Sequence, residues 1–150
     1  MTRLQPALAL CALLAAPAHA AEESWTPIPR NAGSFVDLGR LHVERYPEAT
    51  SRFLRSTGGR QILRSFNVVW IKTVALTATV MSQNVFDCAG HYAPLSQHIL
   101  NPAPGLPYDS FDWHRMFTYY GPTLHDVADA PDTLMVEAER LVCAAHPLPA

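Results

Sequence analysis

The run Phe66-Asn67-Val68-Val69-Trp70-Ile71-Lys72-Thr73-Val74-Ala75-Leu76 decides the fold class. It is rich in β-branched and aromatic residues and has no Gly or Pro. Its even positions, Phe66, Val68, Trp70, Val74 and Leu76, make an apolar row interrupted by Lys72, while the odd positions are mixed. A period of two in such residues fits a pleated, half-buried surface, so a strand is expected from about Arg60 onward. On its N-terminal side, Asn31-Ala32-Gly33 is a turn signal and Ser34 to Leu38 a short strand. Leu41 and Val43, alternating with His42 and Glu44, suggest a second one. Pro47, the Ala49/Phe53 spacing and Gly58-Gly59 predict a short helix over Glu48 to Ser56.

On the C-terminal side no Gly or Pro occurs between Gly59 and Gly90, so composition does not mark the reversal that must fall between Ala75 and Gln83. Further strands are expected through Val85 and Phe86 to Cys88, and through His91 to Ala93 or Gln97 to Leu100. Pro102, Pro104, Gly105 and Pro107 make Asn101 to Ser110 a loop. The aromatic run Phe111, Trp113, Phe117, Tyr119, Tyr120 is either core or an exposed recognition patch, with core or half-core the favoured reading. From Pro131 to about Cys143, Leu134, Ala138, Leu141 and Val142 form one helical stripe. Cys143 lies off that stripe, so either it sits at a frayed end or the helix buries two faces. The expected fold is α+β: an antiparallel sheet of about five or six strands with a C-terminal helix packed on it, and one disulfide.

The first twenty residues read as a secretory signal. Arg3 supplies a positive start, Ala7 to Ala16 an apolar run of ten residues, and Ala18-His19-Ala20 small residues at the positions a signal peptidase reads. A membrane span needs roughly 20 apolar residues. Cys11 lies inside the apolar run, preceded by Leu10, and leaves with the signal. Residues 1–20 are thus expected to be removed and 21–150 to form a single domain with no transmembrane anchor, in the periplasm or on the cell surface. Apolar residues make up 49% of the chain and charged ones 16%, against about 25% charged in ordinary domains. That balance argues against disorder, and 13 prolines argue against a helical bundle. Only Cys88 and Cys143 remain after cleavage, and two thiols in an oxidising compartment are expected to pair.

The six histidines of the remaining chain invite chemical readings. Cys88 with His91, and Cys143 with His146, repeat a Cys-x-x-His spacing that could supply four zinc ligands, though export favours the disulfide. Ser110, Asp112 and His114 hold the residue types of a catalytic triad, but no strand-turn-helix elbow surrounds Ser110. Gly58-Gly59 lacks the Lys-Ser or Lys-Thr of a phosphate loop. No catalytic residue, metal ligand or cofactor is therefore expected.

Charge is uneven. Arg30 to Lys72 carries eight basic and three acidic residues (+5), and Thr73 onward eight acids and two arginines (−6). Arg45, Arg52, Arg55, Arg60 and Arg64 are the candidate contacts for an acidic partner; mutual neutralisation of the two halves is the plainer reading. A net charge of −2 and a pI near 6.4 speak against nucleic acid.

The order of these features resembles the bacterial surface-adhesin protein E family. The matching marks are Trp25, Phe35-Val36-Asp37, Val68-Val69-Trp70-Ile71-Lys72, Val85-Phe86-Asp87-Cys88 and a closing Leu141-Val142-Cys143. The resemblance implies an antiparallel sheet with a C-terminal helix tied by the two cysteines. It also implies no enzymatic activity, and, from the best-known member, binding of host matrix proteins. The stretch Glu44 to Arg64 is longer than the family's usual link, and no surface anchor is apparent. The expected function is an exported, non-catalytic binding protein contacting a host or envelope protein or an acidic polymer. The alternative is a periplasmic inhibitor or assembly factor, with a zinc protein or small hydrolase behind it; a homodimer stays open.

Overall fold

The computed structural model describes residues 24–48, 61–102, 104 and 109–149. The signal segment 1–20, the helix expected over Glu48 to Ser56 (but for Glu48 itself), and Arg52, Arg55 and Arg60 lie outside them. Seven strands form one antiparallel sheet: β1 (Trp25–Pro27), β2 (Ser34–Pro47), β3 (Leu63–Val74), β4 (Thr79–Phe86), β5 (His91–Leu100), β6 (Phe111–Asp112) and β7 (His125–Asp126). The order is β1-β2-β3-β4-β5-β6, with β7 also on β5, pairing at its opposite end. Two helices, α1 (His114–Tyr120) and α2 (Leu134–Ala145), and a 3₁₀ turn over Val127–Asp129 complete the described elements.

The Trp70 strand lies in the middle of the sheet, and its central part, Phe66 to Val69, is buried on both sides. Val69 and Ile71 point to one face, where they pack with Ile28, Val36, Phe86, Val127, Ala138 and Val142 beneath α2. Phe66 and Val68 point to the other, packing with Tyr46, Val85, Ala93, Leu95 and Phe117 beneath α1. The core is thus two half-cores on one sheet, with a helix on each face. Ala138 and Val142 of the expected stripe are fully buried, and the helix starts at Leu134, later than Pro131. Asp132 first accepts the Leu134 N–H, at 2.9 Å, which satisfies one of the helix's orphan donors.

Cys88 and Cys143 are joined, with 5.7 Å between their Cα atoms. Cys143 lies within α2, two residues before its end, and packs partly buried beside the stripe, so the helix uses more than one face. Asn67, fully buried under this helix end, donates to the Cys88 sulfur at 3.3 Å and to the His146 carbonyl at 2.7 Å.

Where two strands were expected between Ser34 and Val43, one long β2 runs with a break in register. Asp37 pairs with Trp70 but His42 pairs with Val68, so β2 advances five residues while β3 advances two. The reversal after β3 is short: Ala75 N–H donates to the Ala78 carbonyl at 2.9 Å. The two alternatives for β5 are one strand. Pro94 fits inside it at a second irregularity, where Gln83 pairs with Ser96 and Asn84 with Pro94, leaving Leu95 as the extra residue. Gly33 has φ +80°, and a Cβ there would meet the Val74 carbonyl oxygen at 2.8 Å. Only glycine lets the β1–β2 turn close against the end of β3.

Candidate functional site

The two register breaks build a surface that alternation alone would not. Asp37 has no exposed side-chain surface. Its carboxylate accepts the backbone N–H of Gly39 at 3.1 Å and of Arg40 at 3.3 Å, closing the excursion in β2. The same carboxylate receives the Arg40 Nε–H and forms an ion pair with it. Arg40 is thereby laid back over the sheet, its guanidinium 5.8 Å from the Trp25 ring centre and 6.0 Å from that of Trp70. On the far side of Trp70 the extra residue Leu95 shifts the phase of β5, so that His98 stacks on Trp70 with 6.0 Å between ring centres.

Planar groups therefore run Trp25, Arg40, Trp70, His98 across β1, β2, β3 and β5. Beside them Lys72 Nζ stands 4.3 Å from the centre of Trp25 and 5.3 Å from that of Phe35. Trp25, Phe35, Trp70, Arg40 and Lys72 are all half-exposed, and His98 is exposed. The face is held in shape from beneath and wetted from above.

The other half of this face lies under α1, which sits over β2 and β5. Here Glu44 is the hub. One oxygen accepts from His42 Nε2 at 2.9 Å, and the other from the Tyr46 hydroxyl. Burial favours neutral Glu44, but the Tyr46 and His42 hydrogen bonds and the nearby His42 and His114 charges outweigh it, holding the carboxyl below its ordinary range. Burial likewise opposes charging of His42, yet the Arg40 carbonyl and Glu44 raise its affinity for a proton. Tyr46 is pushed far up, by burial and by the Glu44 carboxylate it donates to.

The Ser110, Asp112 and His114 set resolves into a pair. His114 donates its backbone N–H to Asp112 at 3.0 Å and contacts the same oxygen through Nδ1 at 2.6 Å, which holds the Asp112 carboxyl below its usual value. Ser110 is exposed, and among the described residues no hydroxyl hydrogen-bonds to the His114 ring. In the Cys-x-x-His motifs the two sulfurs are bonded to each other. Among the described residues no group of three His, Cys, Asp or Glu side chains could hold a metal ion. His91 instead serves Asp87, whose fully buried carboxylate accepts from Arg64 at 2.9 Å, His91 Nδ1 at 2.8 Å, and the backbone N–H groups of Ala89 and His91. This cluster fixes the turn that carries Cys88.

Of the candidate arginines, Arg45 pairs with Ser65 and Arg64 with Tyr46, so these two arginines project from opposite faces of the sheet. Arg64 is bound to Asp87, and Arg30 reaches Glu137 at 3.9 Å; both contacts join the basic first half to the acidic second. A cleft of about 370 Å³ beside Tyr46 is lined by Pro47, Arg64, Phe66, Pro122 and Leu124. The aromatic run splits: Phe117 is buried, but Trp113, Tyr119 and Tyr120 are 38%, 52% and 51% exposed. A helix of seven residues offers the sheet one face, and Phe117 occupies it. With Asp112, Arg115 and Met116, the exposed rings line a shallow depression of about 500 Å³.

Arg40, Trp70, Lys72 and His98 stand together as a site only through the two bulges. The signals present in the sequence were Lys72 inside an apolar row and Asp37-Leu38-Gly39 inside a strand pattern, an acid and a glycine where neither extends a ladder. Compared with family models, curated proteins and solved structures, the chain matches none. Among the described residues no helix is long and apolar enough to cross a membrane.

Proposed function

We propose that the chain is an exported, non-catalytic binding protein that meets its ligand on the open half of the α1-side face. The observation that carries this reading is the ladder Trp25, Arg40, Trp70, His98 with Lys72 beside it. Trp and Arg are the residues that most often dominate binding energy. A chain with 49% apolar residues has no shortage of side chains for its core, so large rings held half-open at the surface fit contact with something else.

Export is supported by the signal-like first twenty residues and by the covalent link between Cys88 and Cys143, a bond typical of oxidising compartments. The resemblance to the surface-adhesin protein E family supports the same reading. Its Phe86-Asp87-Cys88 and Leu141-Val142-Cys143 marks meet in that bond. On this reading the ligand is a matrix or envelope component, and catalysis and metal play no part.

A second reading, an inhibitor or assembly factor that grips another envelope protein, has its own observation in the exposed Trp113, Arg115, Met116, Tyr119 and Tyr120 around α1. A pull-down with processed, oxidised protein separates the two, using envelope extract and matrix components in parallel. The first reading expects partners to be lost with Lys72→Glu and kept with the Tyr119→Ala, Tyr120→Ala double variant. The opposite pattern moves the function to α1. Partners retained by both variants sink the two together.

A further inference from the structure

The length, spacing and charge of the open face select a class of ligand, an inference that rests on the binding reading above. We propose that this face binds an acidic polysaccharide, a chain of sugars bearing carboxylate or sulfate groups, laid across the strands rather than along them.

Length comes first. The ladder spans β1 to β5, four neighbouring steps of about 4.8 Å, so it is roughly 19 Å long. That is the footprint of an extended oligomer, and the surface is open rather than a pocket for a small molecule. Chemistry comes second. The indoles of Trp25 and Trp70 and the ring of Phe35 are apolar planes of the kind on which the C–H faces of sugar rings lie, and His98 offers an exposed hydrogen-bonding edge beside Trp70.

Charge comes third, and it is sparse. The positive charge of Arg40 is balanced by buried Asp37 beneath it. Lys72 is held over two rings, and among the described residues no carboxylate lies within ion-pair distance of it. Among the described residues one uncompensated cation stands over such a length, which suits a polymer whose acid groups are separated by neutral sugars. Single-stranded nucleic acid also stacks on aromatic platforms, but it brings a phosphate with every unit and calls for a basic groove. At the β6 end the ladder's neighbour is the exposed carboxylate of Asp112, paired with His114, which repels an acidic chain and confines it to the β1–β5 span.

The experiment uses the processed, oxidised protein carrying Trp113→Phe, which leaves Trp25 and Trp70 as its only indoles. Tryptophan fluorescence is titrated with heparin, polygalacturonate, neutral dextran and a single-stranded DNA oligonucleotide. Both acidic glycans are expected to change the emission, in a salt-sensitive manner, and dextran to leave it unchanged. Lys72→Gln is expected to weaken binding about tenfold, as loss of a charged contact does. Unchanged thermal melting of that variant separates lost binding from lost folding. Equal binding of dextran, no response to either acidic glycan, or tighter binding of DNA overturns the polysaccharide class. Failure of the face itself has a different signature: partners recovered in the pull-down keep their affinity through both Lys72→Gln and Trp70→Phe.

Discussion

The two faces of β3 are made from alternate residues of one short stretch, yet they do different work. Val69 and Ile71 are fully buried, under a helix that is sulfur-bonded to the turn after β4. Trp70 and Lys72, one residue out of phase, are half-open and surrounded by planar and charged groups. The α2 face repeats simple alternation, whereas the open face depends on two departures from it, the excursion after Asp37 and the extra residue Leu95. With one half-core beneath each helix, the uncovered part of the front is free to hold side chains that a core would reject. Order on the front is then maintained locally, by the buried Asp37 carboxylate.

This contrast can be broken by mutation. The largest effect is expected from replacing Cys88 and Cys143 by serine. Opening a loop of about 56 residues costs roughly 4 kcal/mol in the chain-entropy model, read as a lower denaturant midpoint. Well below the new midpoint, Trp25 and Trp70 emission should be unchanged; altered emission in a still-folded variant would show that the two faces are not independent. Next, Ile71→Ala should cost about 3 kcal/mol, in the range of large-to-small core changes. Lys72→Ala, its neighbour, should stay within about 0.5 kcal/mol, as surface substitutions do. Similar losses for both would erase the distinction between the faces. Third, Asp37→Ala removes the acceptor of two backbone N–H groups and the partner of Arg40. A loss of about 2 kcal/mol is expected, kept modest because the Arg40 side chain is 36% exposed. Its sharper signature is spectroscopic: with Arg40 released, the environment of Trp25 and Trp70 should change, as it should not in Ile71→Ala.

The same contrast explains what was legible in the sequence. From Phe66 to Val74 the period of two gave the strand but not its buried side, since Val69 and Ile71 of the mixed odd row are buried while Val74 of the apolar even row is exposed; in the C-terminal helix the stripe gave both, as with Ala138 and Val142. Cys88 and Cys143 were legible because the expected loss of the first twenty residues, Cys11 among them, leaves those two thiols to each other. The ladder was not, because its members are far apart in sequence and meet only after bulges change the phase of β2 and β5; Asp37 and Gly39 mark a departure without showing its register, and Leu95 looks like an ordinary strand residue until its partners are known. The exposure of Tyr119 and Tyr120 was hidden for a related reason, since composition does not reveal that α1 ends after seven residues. Among the basic residues, Arg64 proved to be a partner of buried Asp87, while the face that assembles the planar groups uses Arg40 and Lys72.

The smallest effects are in pH dependence, where the two carboxyls Glu44 and Glu139, one on each face, should differ in sign. On the α1 side, Glu44 is held below its ordinary pKa and His42 above its own. A lowered carboxyl stabilises the fold above its unfolded value, near 4.5, and loses that contribution as pH falls through the folded one. A raised imidazole stabilises below about 6.5 and loses its contribution as pH rises through its folded value. Their joint contribution is therefore greatest between about pH 4.5 and 6.5. On the α2 side, Glu139 accepts the Gly90 N–H at 2.8 Å, but burial and the charges of Asp87 and Asp126 raise its pKa. It favours the fold at low pH and loses that contribution as pH rises. Urea melts from pH 4 to 8 should show His42→Asn losing a few tenths of a kcal/mol, the scale of exposed pairs, near pH 5.5 and less at pH 8. Glu139→Gln, which keeps an acceptor for Gly90 without the charge, should gain stability toward pH 8. A His42→Asn deficit that is flat with pH would remove the Glu44 pair from the account. A loss in Glu139→Gln at pH 8 would mean that the carboxylate's hydrogen bond outweighs its burial, and the two carboxyls would then answer to pH alike.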